Sequence, residues 1–296
     1  MTLEALNKRI KTTSDLRNIV STMKLLSSVS IGQYEKALAS LKEYGHTVRQ
    51  GFLGLILNSN LSDLATPLKT KTPRTIAIVI GSDNGLVGGF NREIITEAHS
   101  YFEKGEYDPK DVFYIAIGKR VALMLESAQK HSLLARYPIM NSLKEIASIA
   151  STILLKLTET IAQKNVEQVL LFYHLKEKGE IQKIKVSPLM PLPYKEFLEM
   201  KREKWKGTSF PMITANPEAL KSALIHEFLT VSLAGALTAS LMAEHYTRMV
   251  NMQQAEKNID ETLEQMNLEY QQARQTNITD ELIDIISGAE SIKKKK

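Results

Sequence analysis

The stretch NPEALKSALIHEFLTVSLAGALTAS, residues 216–240, opens the longest unbroken segment of the chain. Asn216 can accept a hydrogen bond from a free first-turn N–H, Pro217 has no N–H to lose, and Glu218 suits the positive end of a helix. No proline follows Pro217, and glycine recurs only at Gly235 and Gly288. Apolar residues fall at Leu220, Leu224, Phe228 and Val231, then at Ile259, Leu263, Met266, Tyr270 and Ala273. Steps of three and four make an a/d seam, so the pattern predicts one helix of about 70 residues, roughly 105 Å long. A helix of that length needs a partner in water.

The start of the chain supplies one. From Leu3 to about Leu57 there is no proline, and Leu3, Leu6, Ile10, Thr13, Leu16, Val20, Met23 and Ser27 recur by threes and fours. Residues 1–50 carry 8 Lys/Arg against 4 Asp/Glu, whereas residues 218–292 carry 4 against 12, and this opposition of charge favours pairing. Each segment also has a run of small residues, SSVSIG at 27–32 and AGALTAS at 234–240. Facing these runs in an antiparallel pair allows close backbone approach and sets Leu3 opposite about residue 265. The C-terminal helix then outruns its partner by some 20 residues, about 30 Å.

Between the helices the period changes. TIAIVI, residues 75–80, is a continuous apolar run ending at Gly81, as expected of a buried parallel strand. Asn91–Lys104 and Lys119–Gln129 read as helices, Val112–Ile117 as a strand, Leu133–Tyr137 as a short strand and Ser142–Gln163 as a long helix. Val169–Leu175 and Ile181–Val186 read as two strands joined by the turn Glu177-Lys178-Gly179-Glu180. The predicted fold class is α/β: a long antiparallel two-helix coiled coil formed by the N- and C-terminal helices, with an inserted open Rossmann-like α/β domain carrying one antiparallel edge. The expected divisions are residues 1–58, N-terminal helix; 74–194, α/β domain; 195–215, connector; 216–290, C-terminal helix; and 291–296, basic tail.

Composition narrows the function. The 296 residues are 43% hydrophobic, enough to bury a core, and contain no cysteine, which excludes a disulfide scaffold, a thiolate zinc site and a cysteine nucleophile. MTLEALNKRIKTT lacks the apolar core of a signal peptide and carries Glu4, so a bacterial cytoplasmic setting is expected. The longest uncharged run, Phe228–Ala243, is 16 residues rich in Ser, Thr, Ala and Gly, shorter than the roughly 20 apolar residues of a bilayer span, so no direct membrane insertion is expected. The net charge of +5 is spread thinly with no basic and aromatic patch, which points away from nucleic acid.

Candidate chemistry was sought first in GSDNGLVGGFN, residues 81–91, between a strand and a helix. Its glycines at 81, 85, 88 and 89 match neither G-x-G-x-x-G nor a P-loop, and the expected role is a tight turn with Asp83 and Asn84 capping. Gly118-Lys119-Arg120 reads as a helix start. The histidines at 46, 99, 131, 174, 226 and 245 have no metal-ligand spacing, and no nucleophile elbow occurs. No cofactor, metal or catalytic residue is therefore expected. The end of the chain remains, where Arg274, Gln275, Asn277 and Thr279 accompany an apolar stripe of Ile278, Leu282, Ile285 and Ile286 with no helix left to cover it. Either this stripe folds back as a tail, or another subunit surrounds it.

These residues carry a resemblance. Met23-Lys24-Leu25, SDNGLVGGFN at 82–91 and ARQTNITDELIDIISGAES at 273–291 resemble the gamma subunits of bacterial F-type ATP synthases, as do Glu244, Arg248, Met249, Met252 and Asn258. The resemblance spans essentially the whole chain. It departs at Ser30–Tyr34, where the family has a basic run, at Val87, where the family has cysteine, and over Leu229–Ala236. It implies a non-catalytic central rotor shaft that transmits rotation of the membrane c ring to a catalytic hexamer of alpha and beta subunits, with the epsilon subunit beside the α/β domain. By the same resemblance, Met23, Lys24 and Arg248 meet the moving loops of the catalytic subunits, and Arg274, Gln275, Thr279 and Glu281 meet the hexamer further along. The chain is then a peripheral protein on the cytoplasmic face of the bacterial membrane. Two other readings stay open on the residues alone: a nucleotide-dependent α/β enzyme with a coiled-coil arm, and a coiled-coil scaffold.

Overall fold

The computed structural model describes residues 2–58, 70–127, 132–139, 143–176, 183–192, 209 and 211–293. The expected turn at Glu177–Glu180, most of the connector and Lys294–Lys296 lie outside them. Helix α1 spans Leu3–Asn58. Strand β1 (Thr75–Ile80), helix α2 (Phe90–Lys104), strand β2 (Val112–Ile117), helix α3 (Lys119–Ser127), strand β3 (Ser132–Tyr137), helix α4 (Leu143–Lys164), strand β4 (Gln168–Leu175) and strand β5 (Lys183–Met190) follow. Helix α5, Pro217–Lys293, closes the chain. It begins where the sequence places its start, with the Asn216 side chain accepting from the backbone N–H of Glu218 at 2.9 Å.

The chain groups into two compact units, and both long helices contribute to each. The larger, Ser28–Arg248, holds the sheet. Strand order is β3-β2-β1-β4-β5, with β3, β2, β1 and β4 parallel and β5 antiparallel to β4. The central strand β1 is buried at every residue, which its unbroken apolar run requires, whereas edge strand β5 alternates and presents Lys183 and Lys185. β5 runs four residues beyond the expected Val186, and it tolerates Pro188 because the outer side of an edge strand needs no N–H donor. Tyr101, Phe102, Tyr107, Tyr114 and Phe172 interlock on one face of the sheet, with ring centroids 5.1–6.2 Å apart. In the same unit Val48, Phe52 and Leu53 of α1 pack with Leu224, Ile225 and Phe228 of α5.

The smaller unit comprises Met1–Ser27 and Met249–Lys296. Here α1 and α5 run antiparallel, Thr13 lying against Met266, Arg17 against Asp260 and Lys24 against Glu256. Two expectations are corrected. Alignment of the small-residue runs brings Lys24 level with a residue near 243, but its partner is Glu256, more than ten residues further along α5. Leu3 therefore comes level with about residue 276, and the bare end of α5 is correspondingly shorter. The seam of α1 also differs. Burial recurs at Leu3, Leu6, Ile10, Thr13, Arg17, Val20, Lys24 and Ser27, an unbroken alternation of three and four. Choosing Leu16 and Met23 as seam residues, as hydrophobicity suggests, breaks that alternation at Thr13; Leu16 is 49% exposed.

Candidate functional site

In the larger unit the small-residue run of α5 meets a different partner from the one expected. From Leu233 to Glu244 every residue of α5 except Gly235 is buried. This small-residue run does not face the small run of α1: a Cβ placed on Gly32 or on Gly235 would meet nothing within 4 Å. It packs instead on the carboxyl end of β1. The Ser240 hydroxyl donates to the carbonyl of Ile80, the last residue of that strand, at 3.3 Å, and Ala243 packs between Val87 and Phe90 of the loop that follows. Small side chains allow a helix to approach a sheet end closely, and the face they cover belongs to another element of the chain.

That position has a meaning in this topology. In an open sheet of order 3-2-1-4-5 the ligand crevice lies outside the carboxyl ends of β1 and β4, where the strand order reverses. Here α5 covers the end of β1, and the loop 81–91 is satisfied from within. The Asn91 side chain accepts from the Ser82 N–H and donates to the Ser82 hydroxyl, both at 2.8 Å. One carboxylate oxygen of Asp83 accepts from the N–H of Lys119, at the start of α3, at 2.8 Å and from that of Ile139 at 3.1 Å. Asp83 thereby caps the start of α3, whereas Gly89 at the start of α2 carries no side-chain cap. Gly118, at φ +118°, allows the close crossing: a Cβ there would stand 2.9 Å from the Ser82 backbone.

Two buried polar groups flank the covered end. The His174 ring stacks on Phe90 with centroids 3.7 Å apart, and its Nε2–H donates to the Phe90 carbonyl at 2.9 Å. Its Nδ1 is buried with no hydrogen-bond partner among the described residues, and burial lowers its pKa to about 4. On α5 the Arg248 guanidinium donates to Glu244 Oε1 at 2.5 Å, both side chains being buried. Burial pushes the Glu244 carboxyl above the usual carboxylate range, with Asp83 adding to the shift and Arg248 opposing it.

In the smaller unit two ion pairs stand along a seam that is otherwise mostly apolar. Charged side chains lie in the seam, where Arg17 binds Asp260 through two nitrogens and Lys24 binds Glu256. Apolar ones also lie outside it: Ile19, Leu25 and Leu26 are more than half exposed. From Arg274 to Ser287 every residue of α5 is exposed, and Ile278, Leu282, Ile283, Ile285 and Ile286 are 47–68% exposed. Arg274, Gln275, Thr279 and Glu281 are thus all on open surface, with the Thr279 hydroxyl donating back to the Gln275 carbonyl at 2.9 Å. Met23 is half-buried beside the seam. Lys24 and Arg248 are different, since each spends its charge on a carboxylate of α5. Sequence reasoning missed this, although Asp260 and Glu256 stand four apart in an acidic segment, the spacing that puts both on one helix face. It also missed a cleft of about 430 Å³ lined by Leu86, Arg92, Arg120, Leu123 and Met124. The signal there was Leu86, an apolar residue in a glycine-rich loop, which the fold holds at φ +64°.

Comparison with known proteins places the chain. The family model described as ATP synthase matches residues 2–292. ATP synthase gamma chains of Trichlorobacter lovleyi and Azobacteroides pseudotrichonymphae are 26% and 28% identical, each over 98% of this chain and 99% of the relative. The chain belongs to the ATP synthase gamma-chain family. Solved structures agree on the fold. A chain of the Euglena gracilis mitochondrial ATP synthase, in a structure of its OSCP, F1 and c-ring assembly, aligns with TM-score 0.62 at 15% identity, covering 98% of this chain and 94% of that one. One from the central stalk and c ring of the Tetrahymena thermophila mitochondrial enzyme aligns with TM-score 0.57 at 18% identity, covering 80% of this chain and 99% of that one. Membership makes this a subunit of a membrane-associated complex.

Proposed function

We propose that this chain is the central-stalk rotor subunit of a bacterial F-type ATP synthase, coupling ion flow through a membrane c ring to ATP synthesis or hydrolysis in a ring of alpha and beta subunits. The observation that carries this reading is the apolar surface that the smaller unit leaves exposed. A helix pair with ion pairs in its seam and leucines and isoleucines on its outside is made to be surrounded. Its bare end suits the inside of a ring, with Met23, Arg274, Gln275, Thr279 and Glu281 as the contacts. The α/β domain meets the c ring and the epsilon subunit on the cytoplasmic face of the cell membrane. The chain performs no chemistry. An asymmetric shaft acts by touching successive catalytic subunits differently, so that each passes through states of different nucleotide affinity.

The runner-up, a nucleotide-dependent enzyme, needs the crevice that Ser240 and Ala243 fill. Tagged chain expressed from its own genome should co-purify with two larger nucleotide-binding proteins in a complex of fixed stoichiometry. A monodisperse chain that binds ATP by itself would overturn the proposal.

A further inference from the structure

The seam of the smaller unit contains a side-chain ladder that a helix pair built only for stability would not have. Arg17 and Lys24 occupy seam positions of α1, while their neighbours Leu16 and Leu25 are turned out, 49% and 64% exposed. Arg17 engages both oxygens of Asp260, and Glu256 receives Lys24 and also the hydroxyl of Ser21. We propose that Arg17, Ser21 and Lys24 with Glu256 and Asp260 are the positioning residues that hold the two helices in axial register.

Different slips meet different obstacles along the seam. Suppose α5 slides by seven residues. Along the middle of the seam Ile259, Leu263 and Met266 are replaced by Met266, Tyr270 and Ala273 and it stays apolar, while at its end Tyr270 and Ala273 give way to Asn277 and Asp280. Arg17 then meets Asn267, and Lys24 meets Leu263; sliding the other way they meet Gln253 and Met249. Now suppose a slip of four. The acids are replaced by Asp260 and Glu264, so the ion pairs survive, but Asn267 enters the seam in place of Leu263 and Arg274 in place of Tyr270. Apolar residues thus oppose the four-residue slip, and the seven-residue one, which moves the helix about 10 Å, is opposed by the ion pairs along the middle of the seam together with Asn277 and Asp280 at its end. A polar or charged group at a seam position is the device that fixes register at some cost in stability. Resting on the central-stalk reading, the consequence is that the ladder keeps the outward stripe of α1 aligned with that of α5 while torque acts along the shaft.

The chain has no cysteine, so register can be read with two introduced pairs in the full chain. Thr13→Cys with Met266→Cys reports the observed register, in which Thr13 Oγ1 and Met266 Sδ lie 4.0 Å apart. Thr13→Cys with Ala273→Cys reports the seven-residue slip. Replacing both Arg17 and Lys24 by Leu should leave thermal stability equal or higher. The same change should lower the ratio of the first disulfide to the second about threefold to tenfold, as expected for losing two ion pairs that face solvent in part. Arg17→Glu with Lys24→Glu should lower it as well, and adding Glu256→Lys with Asp260→Arg should restore it. An unchanged ratio in the double-Leu chain overturns the proposal, because packing elsewhere then sets the alignment; failure of the charge swap to restore it does the same. In the assembled complex the double-Leu chain should synthesise less ATP per ATPase turnover. A shifted ratio in the isolated chain alongside unaltered coupling retains the register lock and counts against the shaft reading.

Discussion

Lowering the pH should unfold this protein partly through one side chain, His174. Its imidazole is neutral in the fold because burial holds its pKa at about 4, against 6.5 for the free side chain. Between those values the unfolded chain binds a proton that the folded chain refuses. Stability from this group is complete above pH 6.5, is lost as pH falls toward 4, and is level below that. A difference of about 2.5 pKa units corresponds to roughly 3 kcal/mol over the window. His174→Phe keeps the ring on Phe90 but leaves the Phe90 carbonyl without its donor. It should therefore cost about 1–3 kcal/mol at pH 7.5 and flatten the slope below. Urea unfolding followed from pH 4 to pH 8 measures both. His245, whose pKa burial also lowers to about 4, stays in both proteins and cancels in the comparison. Parallel pH profiles for the two proteins would refute the argument, since the acid sensitivity must then arise elsewhere.

Other outcomes follow from the same structure. Glu244→Ala strands the buried Arg248 guanidinium and should cost about 3–5 kcal/mol in urea unfolding, whereas Glu244→Leu with Arg248→Leu should be near neutral. If the single change is as mild as the double, the pair is not buried as described. Because burial raises the Glu244 pKa, the stability tied to this carboxyl should fall as pH rises from 4.5 through its folded value, and Glu244→Gln should abolish that fall. Ala243→Leu has no room against Val87 and Phe90, and should destabilise the chain by about 1–3 kcal/mol in calorimetry. Truncation after Ala273 removes Arg274–Ser287, all exposed, and the residues after them, so it should leave the melting temperature nearly unchanged and lower coupled ATP synthesis by the complex; unaltered synthesis refutes the role given to that end.

How much of this was legible in the sequence depended on what each signal encodes. The strands TIAIVI and VFYIAI were legible because a parallel strand buried on both faces must be apolar throughout. The seam of α5 was legible because its apolar residues keep the heptad, and Ile259, Leu263, Met266, Tyr270 and Ala273 are all half-buried. The seam of α1 was only half legible, since Leu16 and Met23 drew the reading away from Arg17 and Lys24, the residues that continue the repeat. The small runs misled for a different reason. A run of Ala, Gly and Ser shows that something comes close without showing what, and for AGALTAS it was the end of β1. Arg274, Gln275, Thr279 and Glu281 were named through the family resemblance, and the fold leaves all four exposed.

The covered end of β1 has one further consequence. A domain that keeps its crevice empty senses concentration, because a solute can enter, leave and shift the balance between shapes. Here the chain's own helix is seated there, joined to the domain by covalent bonds and never diluted. That end of the sheet is closed to solutes by a helix of the same chain, which stays seated there at any dilution.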